Sequence, residues 1–196
     1  GPVATELFQQ ASPPEAAQTQ ALLASVPLQR VSEPLEMAFA IGFLLHPLAG
    51  YVLLRGLPTL PVRVRAQQET ATRLAASLEC HPQVAAVLHP SLAGADPLGL
   101  LGRQLAGPGS MLSLLVRGGP AAARRTAESC RLVTHAVSLG GVDTLVQHPA
   151  SLTHRPVPAD VRPPESLLRL SVGLEDLADL QADLDQALRA GARRGV

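Results

Sequence analysis

Two amphipathic helical patterns bracket a series of short apolar runs, and that arrangement most restricts the folds open to this chain. Pro61–Glu79 places Val64, Ala71, Leu74 and Leu78 along one stripe, with Arg and Gln opposite and Pro at a position suited to a first turn. Glu175–Ala190 repeats leucine every three or four residues, at Leu177, Leu180, Leu184 and Leu188. Glu175 and Asp176 suit the end of that helix where the dipole favours negative charge. Between these patterns, Val84–Leu88, Met111–Val116, Leu132–Ser138, Thr144–Gln147 and Leu167–Val172 read as strands set off by Pro and Gly. Pro97–Leu105 and Ala121–Cys130 read as shorter helices. Runs of these lengths in this order predict an α/β chain, in detail an α+β two-layer sandwich with helices mainly on one face of the sheet.

Only 2% of the residues are aromatic although 46% are hydrophobic, so Leu, Val and Ala must fill the core. Residues 1–34 differ from the rest. Ala11–Gln20 is rich in Pro, Ala and Gln and reads as an arm or linker, which leaves residues 35–196 as the folded domain. Glu33–Leu45 can form an apolar helix ended near His46-Pro47, because proline disfavours helix in the residue before it. Gly56–Leu60 reads as a turn. The opening Gly1-Pro2 suggests a piece excised from a longer protein.

The formal net charge is zero, so no basic surplus argues for a nucleic acid or an anionic membrane as partner. No apolar run reaches membrane-spanning length, and Cys80 and Cys130 read as two small buried hydrophobes in a reducing compartment, which predicts a cytoplasmic chain. The histidines His46, His81, His89, His135, His148 and His154 form no zinc-binding pattern, which leaves structural roles for His148 and His154. No GxSxG occurs, and Gly107–Gly109 lacks the GK[ST] of a phosphate loop. Arg124-Arg125 reads as a solvated helix face, and Asp143, Asp179, Asp183 and Asp185 as solvated charge. All 16 residues of the Lys+Arg count are arginines; the chain has no lysine.

Several blocks are similar, in order, to the pyridoxal-phosphate enzymes of cysteine and methionine metabolism, a family that includes cystathionine γ-synthases and methionine γ-lyases. Leu53–Leu60, LLRGLPTL, resembles the family's "LLRGLKTL", with Pro58 where a basic residue is usual. Leu101–Leu112, LGRQLAGPGSML, resembles "RQMSGFGGML". Ala136–Leu145, then His148–His154 (HPASLTH), then Leu168–Asp176 (LRLSVGLED) continue the series. The resemblance covers about residues 35–196. It implies the small C-terminal domain of a fold-type I pyridoxal-phosphate enzyme, with a mixed sheet of about four to five strands. Val3–Gln10 resembles a segment that precedes the family's catalytic lysine, and the stretch between His154 and Leu167 is shorter than the family's.

The resemblance implies that Arg169 grips the α-carboxylate of an amino-acid substrate, a task suited to a planar, permanently charged fork. It places Ser138 against substrate and cofactor-linked groups, lets backbone approach closely at Gly140, and puts the apolar Val137 at a position that differs among family members. On spacing alone, Arg169 reads first as a strand arginine paired with a structural acid, and the resemblance brings the substrate reading level with it. The family holds its cofactor on a lysine amine as a Schiff base, so no cofactor is expected on this chain. Pyridoxal phosphate enters only if a complementary half supplies the lysine, and the chain is not a self-sufficient enzyme of that type.

Three functions follow as expectations. The first is a cofactor-less domain derived from a C–S lyase, binding a cysteine-like sulfur amino acid, as in a sulfur-incorporating domain of a polyketide or peptide synthase with a carrier protein as neighbour. The second is the partial chain of a pyridoxal-phosphate-dependent C–S lyase or synthase. The third is a non-catalytic dimerisation or interaction module. A homo-oligomer is expected, because apolar surface such as Met37–Leu45 needs cover.

Overall fold

The computed structural model describes residues 46–151 and 162–193, together with Gln20, Leu35 and Gly42. The chain divides into two compact units, Gly1–Pro58 and Thr59–Val196. The expected helix over Glu33–Leu45 lies almost wholly outside the described residues. In the first unit, a helix α1, Pro47–Gly56, begins where the sequence suggested one would end. Proline is tolerated in a first turn because its missing N–H has no intrahelical partner there. His46 caps this helix, its Nδ1 accepting from the Leu48 N–H at 3.2 Å. A 3₁₀ turn, Leu57–Thr59, follows in the chain.

The second unit is a five-stranded sheet with helices on one face. Helix α2 spans Leu60–Glu79 and leads to β1, Val84–Leu88. Then come β2 (Met111–Val116), α3 (Gly119–Ser129), β3 (Thr134–His135), β4 (Leu145–Gln147), β5 (Leu167–Ser171) and α4 (Leu177–Ala192). The sheet order is β1-β2-β5-β4-β3. All neighbours pair antiparallel except β3 and β4, which are parallel, so the sheet is mixed as expected.

Strand alternation separates the two faces. Leu112, Leu114, Val116, Val146, Leu168 and Leu170 are buried under the helices. Against them lie Ala71, Leu74, Ala75 and Leu78 of α2, Ala122, Ala123 and Ala127 of α3, and Leu180, Leu184 and Leu188 of α4. Val64 is exposed, and the buried stripe of α2 starts instead at Gln67. No helix forms over Pro97–Leu105. Gly99 and Gly102 take positive φ there, and the Asp96 carboxylate accepts from the N–H groups of Leu100 and Leu101 at 2.9 and 2.8 Å, closing turns. Those two backbone hydrogen bonds hold the Asp96 carboxyl below the usual carboxylate range.

Several charges taken as solvated are structural. Asp183 is buried on α4, and its carboxylate accepts from the backbone N–H groups of Arg131, Leu132 and Val133 at 2.8, 2.9 and 2.9 Å. It thereby fixes the path from α3 into β3. Burial by itself opposes the Asp183 charge most strongly, yet the three backbone donors and Gln186 together hold its carboxyl below the usual range. Asp185 joins His81 at 3.2 Å and Arg189 at 3.0 Å. Arg125 donates through Nε and a terminal nitrogen to the Gly191 carbonyl, covering the end of α4. Asp176, rather than Glu175, caps α4. Glu175 lies before the helix, where its two oxygens accept from Thr144 N–H and Oγ1 at 2.6 Å each. Cys80 is exposed and Cys130 half-buried; burial and the neighbouring Asp183 charge push the Cys130 thiol up to about 12.

Two outcomes follow for stability. Asp183→Ala leaves three backbone donors without their acceptor and should cost about 3 kcal/mol in urea unfolding at neutral pH. Because the folded-state pKa of Asp183 lies below the unfolded one, its contribution is complete above about pH 4 and lost as pH falls through the folded value. Asp183→Asn should therefore be less stable at neutral pH and lose less on acidification than the parent. At Gly173, an added Cβ would collide with the Val142 carbonyl oxygen and the Glu175 carboxylate. Gly173→Ala should destabilise by about 2 kcal/mol in the same assay.

Candidate functional site

The side chains of β5 alternate: Leu168 and Leu170 go into the core, and Arg169 goes to the opposite face. Pairing places Leu88, Ser113, Arg169 and Gln147 in one row across β1, β2, β5 and β4. The next row on the same face holds Met111, Ser171, Leu145 and Thr134. The face is graded in exposure. Gln147 and Ser171 are buried, Arg169 and Ser113 half-buried, and Leu88 and Met111 exposed. Among the described residues no hydrogen bond or ion pair engages the Arg169 guanidinium, so no structural acid is seen to occupy it.

Ser138 lies on the loop between β3 and β4, yet it is tied to β5. Its hydroxyl bonds Ser171 Oγ at 2.8 Å and accepts from the Gly140 N–H at 3.1 Å. Ser171 and Arg169 are two residues apart on one strand face, which sets their Cα atoms about 7 Å apart. The structure thus brings Ser138 and Gly140 to the Arg169 side of the sheet. Gly140 takes φ 86°, a left-handed conformation that lets the loop fold back onto the Ser138 hydroxyl. Val137 stands exposed beside Ser138, as does Leu139 beyond it. The loop is held at its far side by Gln67, whose Nε2 donates to the Gly141 carbonyl at 2.8 Å.

Sequence reasoning did not find Ser171 or Gln67. Ser171 could have been flagged as the residue two positions after Arg169, on the same face of a strand. Gln67 could have been flagged as a polar residue four before Ala71 on the buried stripe.

His148 and His89 follow β4 and β1 and are both buried. The Nδ1 of each bonds a nearby serine, Ser151 at 2.8 Å and Ser91 at 2.7 Å. The Nε2 of each reaches a carbonyl, Glu165 at 2.6 Å and Gly109 at 3.3 Å. A carbonyl only accepts, so Nε2 carries the proton in each. These rings pin strand ends; His154 lies outside the described residues. Among the described residues no group of three metal-capable side chains is assembled, and no helix is long and apolar enough to cross a membrane.

What the arrangement offers chemically is a cationic fork flanked by hydroxyl and amide groups on the sheet face opposite the helical core. That set matches a small carboxylate with further polar groups. It includes no amine for a Schiff base, since the chain has no lysine.

The family model described as Cys/Met metabolism PLP-dependent enzyme matches residues 18–189. L-methionine gamma-lyase of Brevibacterium sandarakinum is 59% identical over 149 residues, which is 76% of this chain and 38% of that relative. Cystathionine gamma-synthase of Mycobacterium bovis is 41% identical over 143 residues, covering 72% of this chain and 37% of the relative. Among solved structures, cystathionine gamma synthase from Xanthomonas oryzae pv. oryzae, in complex with aminoacrylate and cysteine, superposes with a TM-score of 0.69 at 41% identity. That match covers 74% of this chain and 38% of the other. The chain therefore spans less than two fifths of the length of these three relatives. Its mixed sheet with helices is the α/β arrangement of these fold-type I neighbours. On a match that extends over most of its length, this chain belongs to the Cys/Met metabolism PLP-dependent enzyme family.

Proposed function

We propose that this chain is the C-terminal, substrate-gripping part of a pyridoxal-phosphate-dependent C–S lyase or synthase acting on a sulfur amino acid. One observation carries the reading: Arg169 lies half-buried on the sheet face opposite the helical core, without a partner among the described residues, in a chain whose relatives are C–S lyases and synthases. Their coverage favours this over the expectation of a free-standing cofactor-less domain. Arg169 would bind the α-carboxylate bidentately, and its fixed place on a central strand orients the amino acid. Ser138, held by Ser171, would present its hydroxyl near the same end, with Gly140 allowing close backbone approach and Val137 bordering the substrate side chain.

A Schiff-base cofactor of the family's kind does not fit this chain alone, because none of its 196 residues has the lysine side chain that forms the bond. In this reading the lysine belongs to the part of the relatives' length that this chain does not span. Pyridoxal phosphate, when bound there, supplies the electron sink for bond cleavage next to the amino group. The exposed Met111, Val137 and Leu139 lie around the Arg169 face and suit cover by that missing part.

Co-expression with the N-terminal part of a methionine gamma-lyase relative tests the reading. The expected result is a yellow complex that releases a thiol from L-methionine or L-cystathionine, while the chain alone stays colourless. Arg169→Ala in the complex should lower kcat/KM about a hundredfold, as expected for losing a charge-assisted bidentate pair. If the chain alone binds L-cysteine in calorimetry and Arg169→Ala abolishes that binding, the free-standing domain replaces this reading.

A further inference from the structure

Helix α2 carries adjacent glutamines, Gln67 and Gln68, that serve no purpose in the helix itself. Gln67 opens the buried stripe continued by Ala71, Leu74, Ala75 and Leu78, where an aliphatic side chain would satisfy packing. A buried amide is costly unless hydrogen-bonded. Its Nε2 finds a carbonyl 74 residues away, that of Gly141, at 2.8 Å. Gln68 turns to another side of the helix, since neighbours are about 100° apart around its axis. Its Oε1 accepts from the Gly109 N–H at 3.0 Å. It lies so close over Gly107 that a Cβ there would collide with the Gln68 amide.

Both targets are loops at one end of the sheet. Gly107–Gly109 precedes β2, which starts at Met111, and Gly140–Gly141 precedes β4, which starts at Leu145. Met111 and Leu145 both pair with Ser171, where β5 ends. Ser171 also holds Ser138. The loop carrying Ser138 is thus fastened by two side chains, to β5 through Ser171 and to α2 through Gln67, between the backbone bonds of Ala136 to Val146 and of Leu174 to Val142 at its ends. Between the two fastenings Leu139 is fully exposed and Gly140 has a positive φ, so no packing of its own holds the segment.

We propose that Gln67 is a positioning residue for the substrate site, with Gln68 as its companion on the second loop. The two amides form a clamp that sets both glycine loops against the end of β5. This inference rests on the reading above that Arg169 and Ser138 receive the amino acid. Gln67 touches no substrate; it acts through Gly141 and Ser138.

The test replaces Gln67 by Met, which keeps length and apolar bulk but removes the donor. Hydrogen exchange in this chain should quicken about tenfold across Ala136–Val142, as expected for losing one buried hydrogen bond. Exchange in β2 and β5 and the melting temperature should stay near the parent's. Gln68→Met should loosen Gly107–Gly109 and leave Ala136–Val142 unchanged. In the co-expressed complex, Gln67→Met should raise KM for L-methionine about tenfold with kcat within about twofold, the signature of lost positioning. Unchanged exchange in Ala136–Val142 would overturn the clamp, and so would a rise spread evenly over α2 and the sheet, which marks a packing role. Quicker loop exchange with KM unchanged would overturn the site role. A parent complex without turnover would count against the proposed function instead, and loop exchange would still decide whether the clamp exists.

Discussion

The alternation Leu168–Arg169–Leu170 is the constraint on which the site depends. Two leucines with almost no exposed surface hold the strand in register against three helices. A slip of one residue would turn Arg169 into the core and both leucines outward, exchanging two buried apolar side chains for a buried charge. The position of the guanidinium is therefore set by apolar packing on the opposite face. Ser113 and Gln147 are placed in the same row by the same registers, and Ser171 in the next. The polar face is the reverse side of a hydrophobic core, and a cavity in that core would be felt as a misplaced arginine.

Among the described residues that core contains no Phe, Tyr or Trp, so its cohesion comes from close approach rather than bulk. Alanines line the buried side of α3, and Ala187 and Gly191 line the facing side of α4. A Cβ on Gly191 would collide with Thr126 Oγ1 and crowd the Ala122 carbonyl. Short side chains let the helix backbones come together, and dispersion at short range offsets the missing rings. Where backbone groups are left over by this packing, single side chains answer them: Arg125 at the end of α4, Asp183 along residues 131–133, Glu175 at Thr144. Each of these is a long-range contact between elements distant in sequence.

That separation explains what could be read from the sequence. Val84–Leu88 and Met111–Val116 form as their short apolar runs indicate, and α2, α3 and α4 lie within two residues of their expected ends, because apolar runs, periodicity and proline are local signals. Pro97–Leu105 misled because its leucines recur at helical spacing while Gly99 and Gly102 take backbone angles that no helix allows. Asp183 misled because three of its partners lie about fifty residues away, beyond any local pattern. The same holds for the site. Arg169, Ser138, Val137 and Gly140 could be named from motifs shared with a family, whereas the Ser138–Ser171 and Gln67–Gly141 bonds needed the fold to bring their partners together.

If Arg169 grips a carboxylate, as proposed, the strength of that grip depends on what surrounds it. On a half-open face, water and salt screen such a pair, and its net worth falls to about 1 kcal/mol or less. Excluding water raises the same attraction severalfold, because the effective dielectric drops. The β4–β5 side of the face is already dry, with Gln147 and Ser171 buried, while the β1–β2 side, at Leu88 and Met111, is open. A second protein surface laid over that open side would shield the guanidinium without moving it. Under the proposed function, the covering part and the lysine would arrive together, so strong carboxylate binding and cofactor chemistry would be gained in one assembly step. A chain that supplies the arginine but no amine is suited to that division of labour.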